Sequence, residues 1–295
     1  MQRKNFTEVT EFIFLGFSSL GKHQITIFGV FLTVYVLTLA GNIIIVTIVC
    51  IDHHLHTPMC FFLSMLASSE KVYTLVIVPR MLCSLIFHNQ PISLAGCASQ
   101  MFFFVILAIN NSFLLTAMGY DHYVAICRPL RYTVIMSKGL CAQLVCGSFG
   151  IVLQVTVMFN LPFCGTVVDH FFCDIWPVMK LSCIDTTIDE IINYDVSLIF
   201  TSYVLIISSI LKIASAEGWK KTFATCASHL TVVIVHCGCS SVAYLKPKSE
   251  NSTEQDLLLS VSYTIITPLL NPVVYSLRNK EVKNALRRVV GRNIS

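Results

Sequence analysis

Few residues in this chain of 295 could do chemistry, and most of them stand in apolar surroundings. Glu70 is the one acid deep inside a long apolar segment, and Lys71 follows it. An ionisable group in such a place is by default a functional candidate, because charge in hydrocarbon is costly. Its bland alternatives are a carboxyl kept neutral by burial or an ion pair with Lys71. His53, His54 and His56 crowd a short loop, but no carboxylate or cysteine stands at metal-site spacing, so a solvated loop is expected there. Cys237-Gly238-Cys239 falls within an apolar run, where packing explains it. No nucleophile, base and orienting group come together. The residues therefore point to neither an enzyme nor a metal or cofactor protein.

The elements that carry these residues are set by composition. Hydrophobic residues make up 55% of the chain and charged ones only 12%, with mean hydropathy +0.74; a soluble domain has roughly 25% charged residues. The segments 23–51, 81–120, 139–168, 222–245 and 257–277 hold no Asp, Glu, Lys or Arg. Each exceeds the ~20 residues needed to cross a ~30 Å hydrocarbon core. Helices are expected, because a lone strand cannot satisfy its backbone in lipid. Seven spans are predicted, near Ile25–Cys50, Pro58–Arg80, Cys97–Tyr120, Gly139–Asn160, Ile191–Leu211, Thr222–Leu245 and Leu257–Leu277. The second contains Glu70 and Lys71 and is placed by its flanks and by Pro58, which suits a helix's first turn. The fold class is an all-α membrane protein, a seven-helix bundle forming one domain. Its parts are an N-terminal segment 1–24, the bundle 25–277 and a tail 278–295. The N-terminal segment lacks an apolar stretch long enough for a cleavable signal, so the first span is expected to act as the anchor.

Basic residues favour the tail side, twelve against seven, which predicts a cytoplasmic C-terminus and an external N-terminus at the plasma membrane. The charge of +4 lies in short loops and the tail, so it marks a membrane surface and not a nucleic-acid footprint. Asn5-Phe6-Thr7 is a glycosylation sequon on the side expected to be external. Cys97, Cys164, Cys173 and Cys183 fall on that oxidising side, where disulfides persist, with three possible connectivities.

Four motifs carry a family resemblance over nearly the whole chain. MGYDHYVAIC at 118–127 resembles the MAYDRYVAIC signature that ends the third helix of olfactory receptors, a branch of the rhodopsin-like G-protein-coupled receptors. LHTPMCFFLS at 55–64, KKTFATCASHL at 220–230 and PLLNPVVYSLRN at 268–279 are similar to the family's motifs in the second, sixth and seventh helices. The resemblance implies an odorant receptor that binds small volatile, mostly apolar molecules and couples to a stimulatory, olfactory-type G protein to raise cAMP. It implies a Cys97–Cys173 bridge and a Cys164–Cys183 pair that pin a long loop over the bundle. It places Asp121, His122, Tyr123, Tyr203, Asn271, Pro272 and Tyr275 in activation and G-protein coupling. Glu70 matches the second-helix acid, which resembles a sodium or proton site.

A ligand-lining set follows from helix geometry and analogy. Phe104, Val105, Ala108 and Ile109 share one face of the third helix, and Ser240, Ser241 and Tyr244 lie one turn above Cys237 on the sixth. The alternative for each is ordinary helix packing. In the tail, Val282, Leu286, Val289 and Val290 form an apolar stripe beside Lys283, Arg287 and Arg288, which predicts a short amphipathic helix on membrane lipids.

Departures from the family pattern form a group. His122 stands where the family has Arg, Cys60 and Cys237 where it has Tyr, and Asn111 where it often has Glu. Arg is a permanent cation with a rigid fork of donors, whereas His has an unperturbed pKa near ~6.5. The fifth span is short, because only Val196 to Leu211 separate Asp195 from Lys212, about 24 Å of helix at ~1.5 Å per residue. Two further readings stand beside the receptor: a degenerate, signalling-impaired copy, and a small channel or transporter using Glu70 and Lys71.

Overall fold

The computed structural model describes residues 10–14, 23–87, 91–137, 139–140, 164–168, 170, 172–174, 178, 181, 231–232, 234–235, 238, 261–278 and 280–292. Predicted spans four, five and six lie largely outside the described residues. Three described helices are long and apolar enough to cross a membrane: α1 (Gln24–Ile51), α2 (Pro58–Ile86) and the span within α3 (Leu94–Cys127). A short helix α4 (Tyr132–Ile135) follows α3. The last span is a widened turn at Ser262–Ile266 that runs into α5 (Thr267–Arg278), and the tail forms α6 (Lys280–Arg292).

Local chemistry explains where these helices begin and end. The LHTP stretch starts α2: Leu55 is buried, the Thr57 hydroxyl accepts from the Cys60 amide at 3.3 Å, and Pro58 occupies the first turn. Ser93 caps α3 through the Gly96 amide at 3.1 Å. Pro129 helps to end α3, since the residue before a proline is pushed out of helical geometry, and Arg128 has φ −136°. The second helix runs past the expected end at Arg80 to Ile86. Arg80 does not stop it, because the side chain donates to the Pro91 carbonyl at 3.0 Å and lies 5.4 Å from the Phe14 ring centre. The third helix is likewise longer at both ends than Cys97–Tyr120.

Helix α1 packs on α2 and on α5, and α2 packs on α3. Close approach of α1 and α5 needs Gly41, where an added Cβ would lie 2.8 Å from the Pro272 ring. The outward face of α1 shows Ile25, Val30, Val36, Leu37, Ile43 and Ile44, an apolar band suited to hydrocarbon. Two apolar cores lie along the helices. One, toward the tail end, gathers Ile45, Leu63, Leu66, Leu114, Met118, Val124, Val282 and Ala285. The other, toward the Cys97 end, gathers Tyr73, Ile77, Met81, Phe104, Phe172 and Ile265.

One element was not expected. Beside the helices there is a three-stranded sheet: β1 (Glu11–Phe14) pairs antiparallel with β2 (Pro91–Ser93) and parallel with β3 (Val167–Val168). Phe12 and Phe14 point inward from the N-terminal strand and are buried.

Candidate functional site

Between the two apolar cores lies a polar layer. It consists of Asn42 on α1, Ser69 and Glu70 on α2, Asn110 and Asn111 on α3, and Thr267 and Asn271 on α5, all buried. Glu70 accepts a hydrogen bond from the Asn271 amide at 2.8 Å, so its partner is an amide on the last span and not Lys71. Asn110 donates to the Ser69 hydroxyl at 3.1 Å, and Asn42 donates to the Thr38 carbonyl at 3.0 Å. Five oxygens of this layer, Glu70 Oε2, Asn42 Oδ1, Asn111 Oδ1, Asn271 Oδ1 and Thr267 Oγ1, have no hydrogen-bond partner among the described residues. All five can accept and only the Thr267 hydroxyl can also donate, so the layer suits a proton or a small cation better than an anion.

At one end of the bundle the predicted Cys97–Cys173 bridge is formed. Cys164 is also disulfide-bonded; its expected partner Cys183 lies outside the described residues. Gln100, one turn from Cys97, holds the loop to the bundle. Its amide donates to the Val76 carbonyl at 3.1 Å and its oxygen accepts from the Cys173 amide at 3.2 Å. Phe172 is thereby brought down onto Phe104, with ring centres 5.2 Å apart, and Phe104 in turn meets Tyr73 at 5.7 Å. His170 stacks edge-on against Phe172 at 4.8 Å. Val105 and Ala108 border this cluster and Ile109 is half-buried on the same helix. Of these third-helix residues, Phe104 thus meets the loop, and Val105 and Ala108 pack on the same cluster. Ser240, Ser241 and Tyr244 lie outside the described residues, as do Asn5 and Tyr203.

The tail end is organised by carboxylates. Met118, Asp121 and Val124 all face the interior, which is the helical spacing hidden in MGYDHYVAIC. Asp121 accepts a 2.7 Å hydrogen bond from the Tyr132 hydroxyl of α4. His122, Tyr123 and Tyr275 fall on described helix, on α3 and α5; their side chains are not among the described parts. Asp52 is the residue the sequence reading missed. It ends α1, accepts from the His54 amide at 3.0 Å, meets His54 Nδ1 at 2.9 Å, and takes a two-pronged contact from Arg288 at 2.6 and 3.1 Å. The Arg288 and His54 contacts hold its carboxyl well below the usual carboxylate range. Its position just before a short turn was a legible capping signal; its link to a residue 236 positions later was not. The three loop histidines form no metal-holding group among the described residues.

Comparison with known proteins places this arrangement. A family profile described as olfactory receptor matches residues 31–293. The chain is 84% identical to olfactory receptor 10J5 of Homo sapiens over 309 aligned positions, covering all of both proteins. It is 78% identical to olfactory receptor 10J5 of Mus musculus over the same extent, and 68% identical to olfactory receptor 10J1 of Homo sapiens over all of this chain and 97% of that protein. An alignment of 309 positions covering both proteins end to end exceeds this chain's 295 residues, so the shortfall is internal. The chain belongs to the olfactory receptor family of rhodopsin-like G-protein-coupled receptors and is a receptor, not an enzyme.

Proposed function

We propose that this chain is an odorant receptor in which seven spans enclose a site for small volatile, mostly apolar molecules. Odorant binding there drives a stimulatory, olfactory-type G protein on the cytoplasmic side to raise cAMP. One observation carries the reading. The single helix α3 holds Phe104 against Phe172 of the disulfide-bound loop, with Val105 and Ala108 packed on the same cluster and Ile109 next along. Further along the same rod lies the buried Asp121. A ligand shifting α3 at one end would therefore be felt at the other. Apolar and aromatic walls with few polar groups suit small ligands with one or two hydrogen-bonding atoms. Ser240, Ser241 and Tyr244 would complete the wall, and the second disulfide would join Cys164 to Cys183.

The N-terminus would be external, glycosylated at Asn5, and α6 would lie on the cytoplasmic leaflet. Glu70, with Asn271 beside it, would hold a proton or a sodium ion whose loss or gain accompanies activation. His122, with Tyr123, Tyr203, Pro272 and Tyr275, would shape the G-protein contact. An imidazole in place of a guanidinium loses the permanent charge and the rigid fork of donors, which should weaken both the resting lock and the coupling.

The test is surface staining together with odorant-stimulated cAMP, for this chain and for His122→Arg. A response in both, larger in His122→Arg, is expected. The internal shortfall favours a second reading, a degenerate copy, which predicts absence from the surface in both. Ion flux without odorant or G protein would favour a channel instead.

A further inference from the structure

We propose that a groove at the tail end of the bundle binds one anionic phospholipid, and that its occupancy supports the Tyr132–Asp121 contact. The inference rests on the reading that this end is cytoplasmic. The groove has a volume of about 690 Å³, and its lining includes Cys50, Leu55, His56, Phe61, Tyr132 and Met136, with Ser64 also in the wall. That volume lies within the ~300–1,000 Å³ typical of small-molecule sites. Its walls are the ends of two membrane-spanning helices, so it sits where hydrocarbon gives way to headgroups.

Charge selects the occupant. Among the described residues, no Asp or Glu lines the groove. The nearby acid, Asp52, is already bonded to Arg288 and His54. Arg128 and Arg131 are exposed on the turn that leads into Tyr132. An apolar slot beside a turn that carries two exposed arginines matches a lipid that has both an acyl chain and an anionic headgroup, and the cytoplasmic leaflet supplies such lipids. A neutral sterol would leave the arginines unused, and a soluble anion would leave the slot empty.

Tyr132 connects this groove to signalling. It lines the groove, and its hydroxyl donates to Asp121 at 2.7 Å. A chain packed against the ring holds the hydroxyl in place, and linkage requires the effect to be mutual.

The experiment mixes the purified full chain in detergent with short-chain phosphatidylserine or phosphatidylcholine and counts bound lipid by native mass spectrometry. A roughly tenfold or greater preference for phosphatidylserine is expected, lost in the double variant Arg128→Gln/Arg131→Gln. Ser64→Trp, which fills the groove, should lower uptake of both lipids. In the unaltered chain, phosphatidylserine should slow alkylation of the exposed Cys50, read by peptide mass spectrometry. Tyr132→Phe should lower phosphatidylserine uptake several-fold.

Equal uptake of the two lipids, a preference that survives loss of both arginines, unprotected Cys50, or displacement by cholesterol would each overturn the site. Unchanged uptake in Tyr132→Phe would overturn the coupling. Neither odorant nor G protein enters the measurement. An odorant-responsive receptor without lipid preference would thus lose only this inference, and a lipid-selective but odorant-silent chain only the receptor reading.

Discussion

The two ends of the bundle are held by different kinds of force. At the Cys97 end, a covalent bridge, a three-stranded sheet and a stack of buried aromatic rings fix the loop onto the helices. At the tail end there is no disulfide among the described residues; an apolar core that takes in Val282 and Ala285 is joined by single polar contacts, Tyr132 to Asp121 and Arg288 to Asp52. A disulfide closing a long loop constrains the chain strongly, whereas one hydrogen bond contributes about 0.5–1.5 kcal/mol net. The first end is thus built to keep one shape, and the second to exchange one set of contacts for another. That division suits a receptor whose ligand site must be preformed and whose signalling surface must change.

The largest expected effect attacks the fixed end. Replacing Cys97 or Cys173 with Ser removes a bridge between residues 76 apart, worth roughly 4 kcal/mol by the chain-entropy account, and should abolish surface staining. Normal surface levels would mean that the sheet and Gln100 suffice without it. Next, Gly41→Leu forces a side chain into the Pro272 ring and should cost ~1–3 kcal/mol, read as a lower melting temperature in detergent. Glu70 follows. Glu70→Ala strands the Asn271 amide in the buried layer at ~1–3 kcal/mol, while Glu70→Gln keeps a carbonyl oxygen for it and should stay near the unaltered chain.

Smaller effects belong to the tail end. Tyr132→Phe deletes one hydrogen bond, ~1 kcal/mol, and should raise basal cAMP without changing surface staining. Because the folded-state value of Asp52 is depressed, its contribution is complete above the ordinary carboxylate range and is lost only as pH falls below that range. Melting should therefore show no change in the Arg288→Gln effect between pH 7.5 and pH 5.5, values chosen to lie above the ordinary carboxylate pKa of ~4. An effect that shrank over that interval would show that a group other than Asp52 governs the contact, and no effect at either pH would show that Asp52 gains nothing from Arg288.

How much the sequence disclosed follows the same division between short-range and long-range physics. Hydropathy placed α1 and α3, the flanks and Pro58 placed α2 despite Glu70 and Lys71, and the family motifs implied the Cys97–Cys173 bridge. The stripe of Val282 and Leu286 foretold α6. The second span runs past its expected end at Arg80, because a long side chain at the interface can lie inside a helix. The third span ends near Tyr120 as expected, and its helix continues beyond it. The sheet was invisible: Glu11–Phe14 is a strand only because Pro91–Ser93 and Val167–Val168 lie on either side of it, and strand pairing over such distances leaves no local signal. Glu70 stood out as an acid in hydrocarbon, yet Asn271 as its partner depends on how α2 and α5 pack. The Arg288–Asp52 contact was hidden for the same reason, and a charge count over loops cannot find it.

The contrast between the two ends is open to one direct measurement, hydrogen–deuterium exchange of the purified chain in lipid nanodiscs. The amides of Ile13 and Leu94 are bonded across the sheet and its edge, to Thr166 and Thr10, and those of Arg131 and Met136 close short turns at the tail end. The account predicts slow exchange at Ile13 and Leu94 that is unchanged by odorant, with faster, odorant-sensitive exchange at Arg131 and Met136. Equal protection at the two ends, or odorant sensitivity confined to the sheet, would contradict it.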